Sequence, residues 1–206
     1  MPEFDIFDVL DDNTSSIYDE IIRYNINKRV LVVNSDITDS VIENYILLIL
    51  KWNKEDKDKP KDKREPIYIY FNSGGGDVFA GFNFIDVIKS SVTPIYAVAF
   101  SFVASMAFLI YITCEKRYAF KNSILLLHDG EISISNSSSK AKDTMEFVDS
   151  MEDREKNHVL EHTNITDDYF NDNHRKETYM YANVDGKKFG CVDYIIGEDV
   201  SIDEIL

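Results

Sequence analysis

Hydrophobic residues along the chain fall into short runs whose spacing alternates between that of strands and that of helices. The runs PIYIYF (Pro66–Phe71) and PIYAVAF (Pro94–Phe100) have the aromatic and β-branched residues of buried strands. A helix is predicted after each strand, at about Val78–Ser90 and at Val103–Thr113. Strands that alternate with helices predict an α/β fold with a largely parallel sheet and right-handed crossovers.

The same pattern extends to both sides of this central region. RVLVVNSDI (Arg29–Ile37) predicts a strand, and Ile37–Trp52 predicts a helix with one apolar face. The charged, proline-bounded stretch Lys51–Pro66 predicts a loop after that helix. Two further strands are predicted at 117–120 (RYAF) and 123–128 (SILLLH).

One apolar run, Pro94–Cys114, is about as long as a membrane span. Ser101 and Ser105 interrupt it, its front half resembles a strand, and its back half suits a short helix. We therefore interpret the run as a buried strand that leads into a buried helix, with a membrane span as the alternative.

Length and composition favour a single globular domain. A chain of 206 residues, 44% of them hydrophobic, can bury one core. We assign this domain to residues 29–206 and set residues 1–28 apart as an N-terminal segment, with axial loops, a propeptide and a flexible tail as the alternatives. The first residues, MPEFDIFDVLDDN, contain neither a basic region nor an apolar core of a secretory signal, so a cytoplasmic protein is expected.

Charge and cysteine content exclude several classes of partner. The net charge of −15 argues against a nucleic-acid surface, which must neutralise phosphates with lysine and arginine. Cys114 and Cys191 make no disulfide framework and have no zinc-ligand spacing. No metal-ligand pattern joins His158, His162 and His174, which are expected at the surface. The sequence thus predicts no cofactor, no metal, no nucleic acid and no membrane partner.

Three consecutive glycines, Gly74–Gly76, follow the strand PIYIYF and the pair Asn72-Ser73. Glycine lets the main chain approach a substrate closely and adopt positive φ, so amide groups here could point at an anion or a polarised carbonyl. A tight strand-to-helix turn is the alternative. A phosphate loop is disfavoured because no Gly-Lys-Ser/Thr follows.

A serine and a histidine occupy similar positions in the following units. Ser105 lies among small residues at the start of a predicted helix, and His128 ends the strand SILLLH. Each alone is compatible with a structural role. Together with the glycine loop, they indicate a nucleophile, a base and an oxyanion site at one edge of a parallel sheet.

At these residues the sequence resembles the proteolytic subunit of the Clp protease. The matching motifs are Asn72–Gly76, Ser101–Met106 and the histidine after Leu125–Leu127, and the resemblance extends from about Arg29 to Ile196. Gly74 replaces the usual proline and Ser101 the usual glycine, which indicates a divergent branch, with a phage origin as one explanation. The resemblance implies a ClpP/crotonase-like α/β fold of repeated β-β-α or β-α units.

The family mechanism, transferred residue by residue, makes Ser105 the nucleophile and His128 its general base. The amide groups of Gly76 and Met106 are expected to hold the oxyanion. Main-chain substrate contacts are expected from Gly74, Gly75, Gly130, Glu131 and Ile132.

The third triad member is the largest departure from the family, which has an aspartate at this position. The aligned residue here is Glu177, 49 positions after His128. Asp172 is the alternative, and the absence of a working third member is another. A glutamate can orient a histidine in serine hydrolases.

The family also implies an assembly. Residues 131–163 correspond to a projecting handle, with a strand at Glu131–Ser135 and a helix at Lys140–His162, through which two seven-membered rings form a tetradecamer. Such rings enclose the sites, so only unfolded chains delivered by a ClpX-, ClpA- or ClpC-type ATPase are expected to be cut.

Two alternatives belong to other classes. A catalytically silent ring subunit would retain the fold without turnover, as the departures at Ser101 and Glu177 suggest. A crotonase-type enzyme would act on acyl-coenzyme A esters, but such enzymes do not need a serine–histidine pair.

Overall fold

A seven-stranded sheet forms the centre of the chain in a computed structural model that describes residues 16–130 and 137–205. The strands are β1 (Val30–Val33), β2 (Ile67–Ser73), β3 (Ile95–Ala104), β4 (Lys116–Phe120), β5 (Ile124–Leu127), β6 (Thr178–Tyr181) and β7 (Tyr194–Ile196). The α-helices are α1 (Ile17–Asn27), α2 (Leu47–Asp56), α3 (Val78–Ser90), α4 (Met106–Thr113), α5 (Ser138–His162) and α6 (Asp167–Asn173). Short 3-10 helices occupy Lys61–Lys63 and Ile202–Glu204, and π-helical segments occupy Ile42–Ile46 and Ala182–Gly186.

The sheet order is β1-β2-β3-β4-β7, and β3 divides its pairing between two neighbours. Its first half, Tyr96–Ala99, pairs with β4, while Phe102–Ala104 pairs with β5. All of these pairs are parallel, which confirms the predicted α/β class. The exception is β6, which runs antiparallel to β5. The long strand β3 therefore connects the main sheet to the β5–β6 pair through its own strand pairing.

The predicted bounds of α3 are confirmed, whereas those of the preceding unit need correction. The first strand ends at Val33, and the next helix begins as the π-helical segment Ile42–Ile46 before α2. The loop predicted from Lys51 is wrong over its first residues, because α2 continues to Asp56. Burial of the Asp56 side chain explains why this charged stretch stays helical.

Asp56 is fully buried and lies at the centre of a polar cluster. Its carboxylate accepts two hydrogen bonds from the Arg29 guanidinium, one of them 3.1 Å long. Thr93 donates a further bond of 3.0 Å and Lys59 one of 2.7 Å. The Arg29 contact holds the pKa of Asp56 well below its usual range. These contacts satisfy a charge that would otherwise be costly to bury.

Several elements had no counterpart in the predicted pattern. Helix α1 lies within the N-terminal segment that the sequence set apart, and its start is fixed by a capping box between Ser16 and Asp19. The elements α6, β6 and β7 are short and were also missed. Residues 1–15 lie outside the described part of the chain.

The apolar run at Pro94–Cys114 divides into β3 and α4, as predicted. Every residue from Met106 to Ile112 is buried against the sheet and the neighbouring helices. Among residues 16–130 and 137–205, no helix is long and apolar enough to cross a membrane.

The helix predicted at Lys140–His162 is confirmed as α5, which begins two residues before the predicted start. The strand predicted at 131–135 lies outside the described residues. The surface position predicted for His158 is wrong, because this side chain is only 6% exposed. Its Nε2 lies 3.1 Å from the Leu109 carbonyl oxygen, so α5 packs directly on α4.

Candidate active site

Ser105 and His128 follow two neighbouring parallel strands at the same edge of the sheet. Ala104, the last residue of β3, pairs with Leu126 of β5, and the Ser105 amide donates to the Leu126 carbonyl at 3.0 Å. His128 comes directly after β5. The strand register therefore places both side chains where parallel sheets present their ligand sites.

The backbone of Ser105 adopts an uncommon conformation, with φ of 53° and ψ of −128°. Positive φ in a residue other than glycine stores about 1–3 kcal/mol of strain and occurs often at functional sites. The turn joins β3 directly to α4, so Ser105 is the residue before the first helical residue, Met106. A serine on such a strand-to-helix turn is typical of nucleophiles in serine hydrolases.

Two of the three glycines are required by close backbone contacts. A Cβ atom on Gly75 would lie 2.6 Å from Ser105 Cβ, and one on Gly76 would lie 2.3 Å from the Ile37 carbonyl oxygen. Both residues also have positive φ, 103° and 144° respectively. Gly74 has open space at the same position. Gly75 and Gly76 thus allow the loop to pass between Ile37 and Ser105.

The hydrogen bonds of Gly75 hold the loop in place. Its amide donates to Ser73 Oγ at 3.2 Å, and its carbonyl accepts from the Ile37 amide at 2.7 Å. Ser73 in turn donates to the Ser35 carbonyl at 2.6 Å. Both polar backbone groups of Gly75 are thus used within the chain, while Gly74 and Gly76 line the cavity described below.

The amide groups of Gly76 and Met106 are the predicted oxyanion donors, and both residues line the cavity described below. Neither amide donates to another residue in the described ranges 16–130 and 137–205. The Met106 amide is at the N-terminus of α4, where the helix dipole adds positive potential. The two groups have the chemistry of the predicted oxyanion site.

The predicted base and the predicted third member are in contact. His128 Nδ1 lies 3.1 Å from Glu177 Oε1. Because an ionised carboxylate only accepts hydrogen bonds, Nδ1–H is the donor in this contact, and in the neutral imidazole with this tautomer Nε2 is the nitrogen that can accept a proton. The alternative residue, Asp172, is in α6, and within the described chain it forms no hydrogen bond or ion pair with His128. The geometry thus joins His128 to Glu177 rather than to Asp172.

A cavity of about 300 Å³ lies at this edge of the sheet, beside the predicted nucleophile and base. Ser105 and His128 both line it, and within the part of the chain that is described no hydrogen bond joins the two side chains. Such bonds are often long until a substrate is bound. Gly130 also lines the cavity, whereas Glu131 and Ile132 lie outside the described residues. The remaining lining residues are Gly74, Gly76, Val78, Met106, Leu109, Leu127, Asp129, Glu152, Glu155, Phe170 and His174.

The contribution of α5 to this cavity was missed by sequence reasoning. Glu152 and Glu155 are one helical turn apart, and both line the cavity. Burial, together with the nearby charge of Glu152, raises the pKa of Glu155 to about 7. The charge-rich sequence of α5 favoured a solvated helix, so the only available signal was the spacing of three residues between the two carboxylates.

One group in the described residues has the composition of a metal site. His158, Glu161 and His162 each offer a ligand atom within 4.8 Å of the others. Glu161 is held by Lys89 at 3.1 Å, and the His162 Nδ1 is hydrogen-bonded to the His158 carbonyl oxygen at 2.8 Å. Burial lowers the pKa of His158 to about 4, so its imidazole is neutral. Hydrogen bonds within the protein therefore already involve a potential ligand atom of each of the three side chains.

Comparison with known proteins identifies the family. Residues 13–199 match the family model of the Clp protease. The chain therefore belongs to the Clp protease family, as its motifs indicated.

Individual relatives are more distant. The ATP-dependent Clp protease proteolytic subunit 2 of Treponema denticola is 30% identical over 118 residues, which are 56% of each chain. Its namesake from Treponema pallidum is 41% identical over 66 residues, 31% of this chain and 33% of the relative. The chain thus matches about half the length of its curated relatives, or less. A ClpP1 point mutant from Listeria monocytogenes has the same fold, with a TM-score of 0.75, 22% identity and coverage of 90% and 99% of the two chains.

Proposed function

We propose that this protein is a serine endopeptidase in which Ser105 attacks the peptide carbonyl. The observation that carries the proposal is the placement of Ser105, on its strained turn, in one cavity with a histidine hydrogen-bonded to a carboxylate. Membership of the Clp protease family supports the same reaction.

The residues divide the reaction into two steps. Ser105 Oγ forms a bond to the carbonyl carbon while its proton passes to His128 Nε2, and Glu177 stabilises the imidazolium. The amides of Gly76 and Met106 hold the negative oxygen. The C–N bond then breaks, the leaving amine takes the proton from His128, and water hydrolyses the acyl-enzyme in the second step.

Substrate contacts follow from the exposed main chain around the cavity. Gly74 and Gly130 line it and have open space where a side chain would lie, so an extended peptide can approach their backbones. We propose that Glu131 and Ile132, which follow Gly130 in the sequence, also contact the substrate main chain. Gly75 supports the loop instead, since its own amide and carbonyl are already bonded.

We propose that the active form is a cytoplasmic homo-oligomer of two heptameric rings. Exposed apolar side chains on α5, Met145 and Phe147, offer surface for contact between copies. A separate cleft of about 430 Å³, lined in part by Val32, Tyr70 and Phe100, offers an apolar site for a Clp-type ATPase. Unfolded chains delivered through the rings are then the substrates.

Cleavage of unfolded polypeptide by the purified protein tests this function. Ser105→Ala should abolish cleavage, while Ser101→Ala, an exposed serine four residues earlier, serves as the matched control. Both variants should keep the oligomeric state of the parent in light scattering. Cleavage by Ser105→Ala at the parent rate would contradict the proposal.

A catalytically silent ring subunit is the second candidate. It is favoured by one observation, that within the described residues no hydrogen bond joins Ser105 to His128. An intact ring without serine reactivity would support it. A crotonase-type activity has no comparable support, and turnover of acyl-coenzyme A esters would be its test.

A further inference from the structure

The cavity beside Ser105 is lined by both apolar and acidic side chains. Leu109, Leu127 and Phe170 form buried apolar surface, and Glu152 and Glu155 approach from α5. No lysine or arginine lines the cavity in the described part of the chain. The cavity therefore offers an entering side chain both hydrocarbon surface and carboxylate oxygens.

Glu155 is a half-buried carboxylate without a cation of its own. It forms no hydrogen bond and no ion pair with any residue in the described ranges 16–130 and 137–205. The next residue, Lys156, is paired with Asp167 at 2.7 Å and points to α6 instead. An unpaired buried carboxylate is costly, and a cation supplied from outside would offset that cost.

We propose that Glu155, assisted by Glu152, selects substrates with lysine or arginine at the residue whose carbonyl Ser105 attacks. The methylene groups of such a side chain would contact the apolar walls, and its cationic end would reach the two carboxylates. This inference rests on the proposed peptidase function and names the substrate class of that site.

The charges around Glu155 predict how the selection depends on pH. Glu152 lies on the same helix, while His128 and Asp129 face Glu155 from the segment after β5. The raised pKa of Glu155, about 7, means that its charge is complete only above neutral pH. Selection for a cationic side chain should therefore strengthen as the pH rises from 6 to 8.

Two peptides that differ only in lysine or norleucine at this residue provide the test, because norleucine has an apolar stem of the same length without the ammonium group. The full chain should cleave the lysine peptide with at least a 10-fold higher kcat/KM. Glu155→Gln should reduce this ratio to below about 2-fold. Asp153→Asn, an exposed carboxylate on the same helix, should leave the ratio as it is.

Binding of the same peptides to Ser105→Ala separates this inference from the proposed reaction. Tighter calorimetric binding of the lysine peptide, lost in Ser105→Ala/Glu155→Gln, would support the acidic site even if the parent protein cleaved nothing. Absent cleavage would then contradict only the proposed function. Equal binding of the two peptides, or a preference for norleucine, would overturn the inference.

Discussion

His128 and Glu177 face each other across an antiparallel strand pair, with Nδ1 and Oε1 3.1 Å apart. The last paired residues of β5 and β6 are Leu127 and Thr178, so the next position outward brings His128 opposite Glu177. Directly opposed residues in an antiparallel pair are close neighbours. The sheet register, rather than a flexible loop, thus holds the carboxylate against the imidazole.

Glu177→Gln should lower kcat by about 10²–10⁴-fold, because an amide cannot hold the proton on Nδ1 or stabilise the imidazolium in the same way. Asp172→Asn is the matched control on α6 and should change kcat by less than about 2-fold. Steady-state cleavage of a fluorogenic peptide measures both. If Asp172→Asn lowered kcat more than Glu177→Gln does, Asp172 would be the third member of the triad.

Gly75→Ala should destabilise the protein by about 2–4 kcal/mol and remove activity, because the new Cβ would meet Ser105 at a backbone φ that alanine rarely adopts. Gly74→Ala has open space and should leave the free energy of unfolding within about 0.5 kcal/mol of the parent. Denaturant unfolding measures the free energy of unfolding of both variants. Equal stability of both would mean that the glycines are not needed for close approach.

Asp56→Asn should cost about 3–5 kcal/mol of stability, since it removes the buried counter-charge of the Arg29 guanidinium and leaves only the partly exposed Glu55. Glu55→Gln removes a partly exposed partner of the same arginine and should cost less than about 1 kcal/mol.

The lowered pKa of Asp56 gives the direction in which its contribution to stability changes with pH. Its contribution is complete above pH about 4 and declines as the pH falls toward the folded-state pKa. If the free energy of unfolding did not fall as the pH was lowered below about 4, this role of Asp56 would be contradicted.

His158 should make the parent protein less stable as the pH falls from about 6.5 to about 4. The unfolded chain binds a proton on this histidine in that range, whereas the buried imidazole, with its pKa lowered to about 4, does not. His158→Gln should remove this part of the pH dependence. The raised pKa of Glu155 acts in the opposite direction, but it is common to both proteins and cancels in their difference. If the free energy of unfolding changed equally with pH in the parent and in His158→Gln, His158 would be accessible to protons in the folded protein.

The sequence was sufficient for the parts of the fold that depend on local pattern. The alternating run before Gly74 and the helical spacing from Val78 predicted β2 and α3, and the apolar run from Pro94 predicted β3 and α4. Fixed motif spacing, such as that from Gly76 to Ser105, indicated the family. The strand and helix signals lie within a few residues of one another in the chain, and the family signal lies in short motifs at a fixed separation.

The rest depends on tertiary contacts that leave little trace in the sequence. Asp56 lies in a charged stretch, yet its pairing with Arg29 keeps it buried and helical. The opposition of His128 and Glu177 depends on a strand of four residues, β6, which is too short for a clear pattern. Glu155 and His158 belong to a charge-rich helix, and only its packing on α4 shows which residues are covered.

Labelling of the purified protein with a fluorophosphonate probe, located by mass spectrometry, tests the central claim most directly. We expect modification at Ser105 alone and none in Ser105→Ala, because among the serines of residues 16–130 and 137–205 only Ser105 lines the cavity together with His128. A folded, assembled sample that remains unlabelled, or one labelled at another serine, would contradict the assignment of Ser105 as the nucleophile.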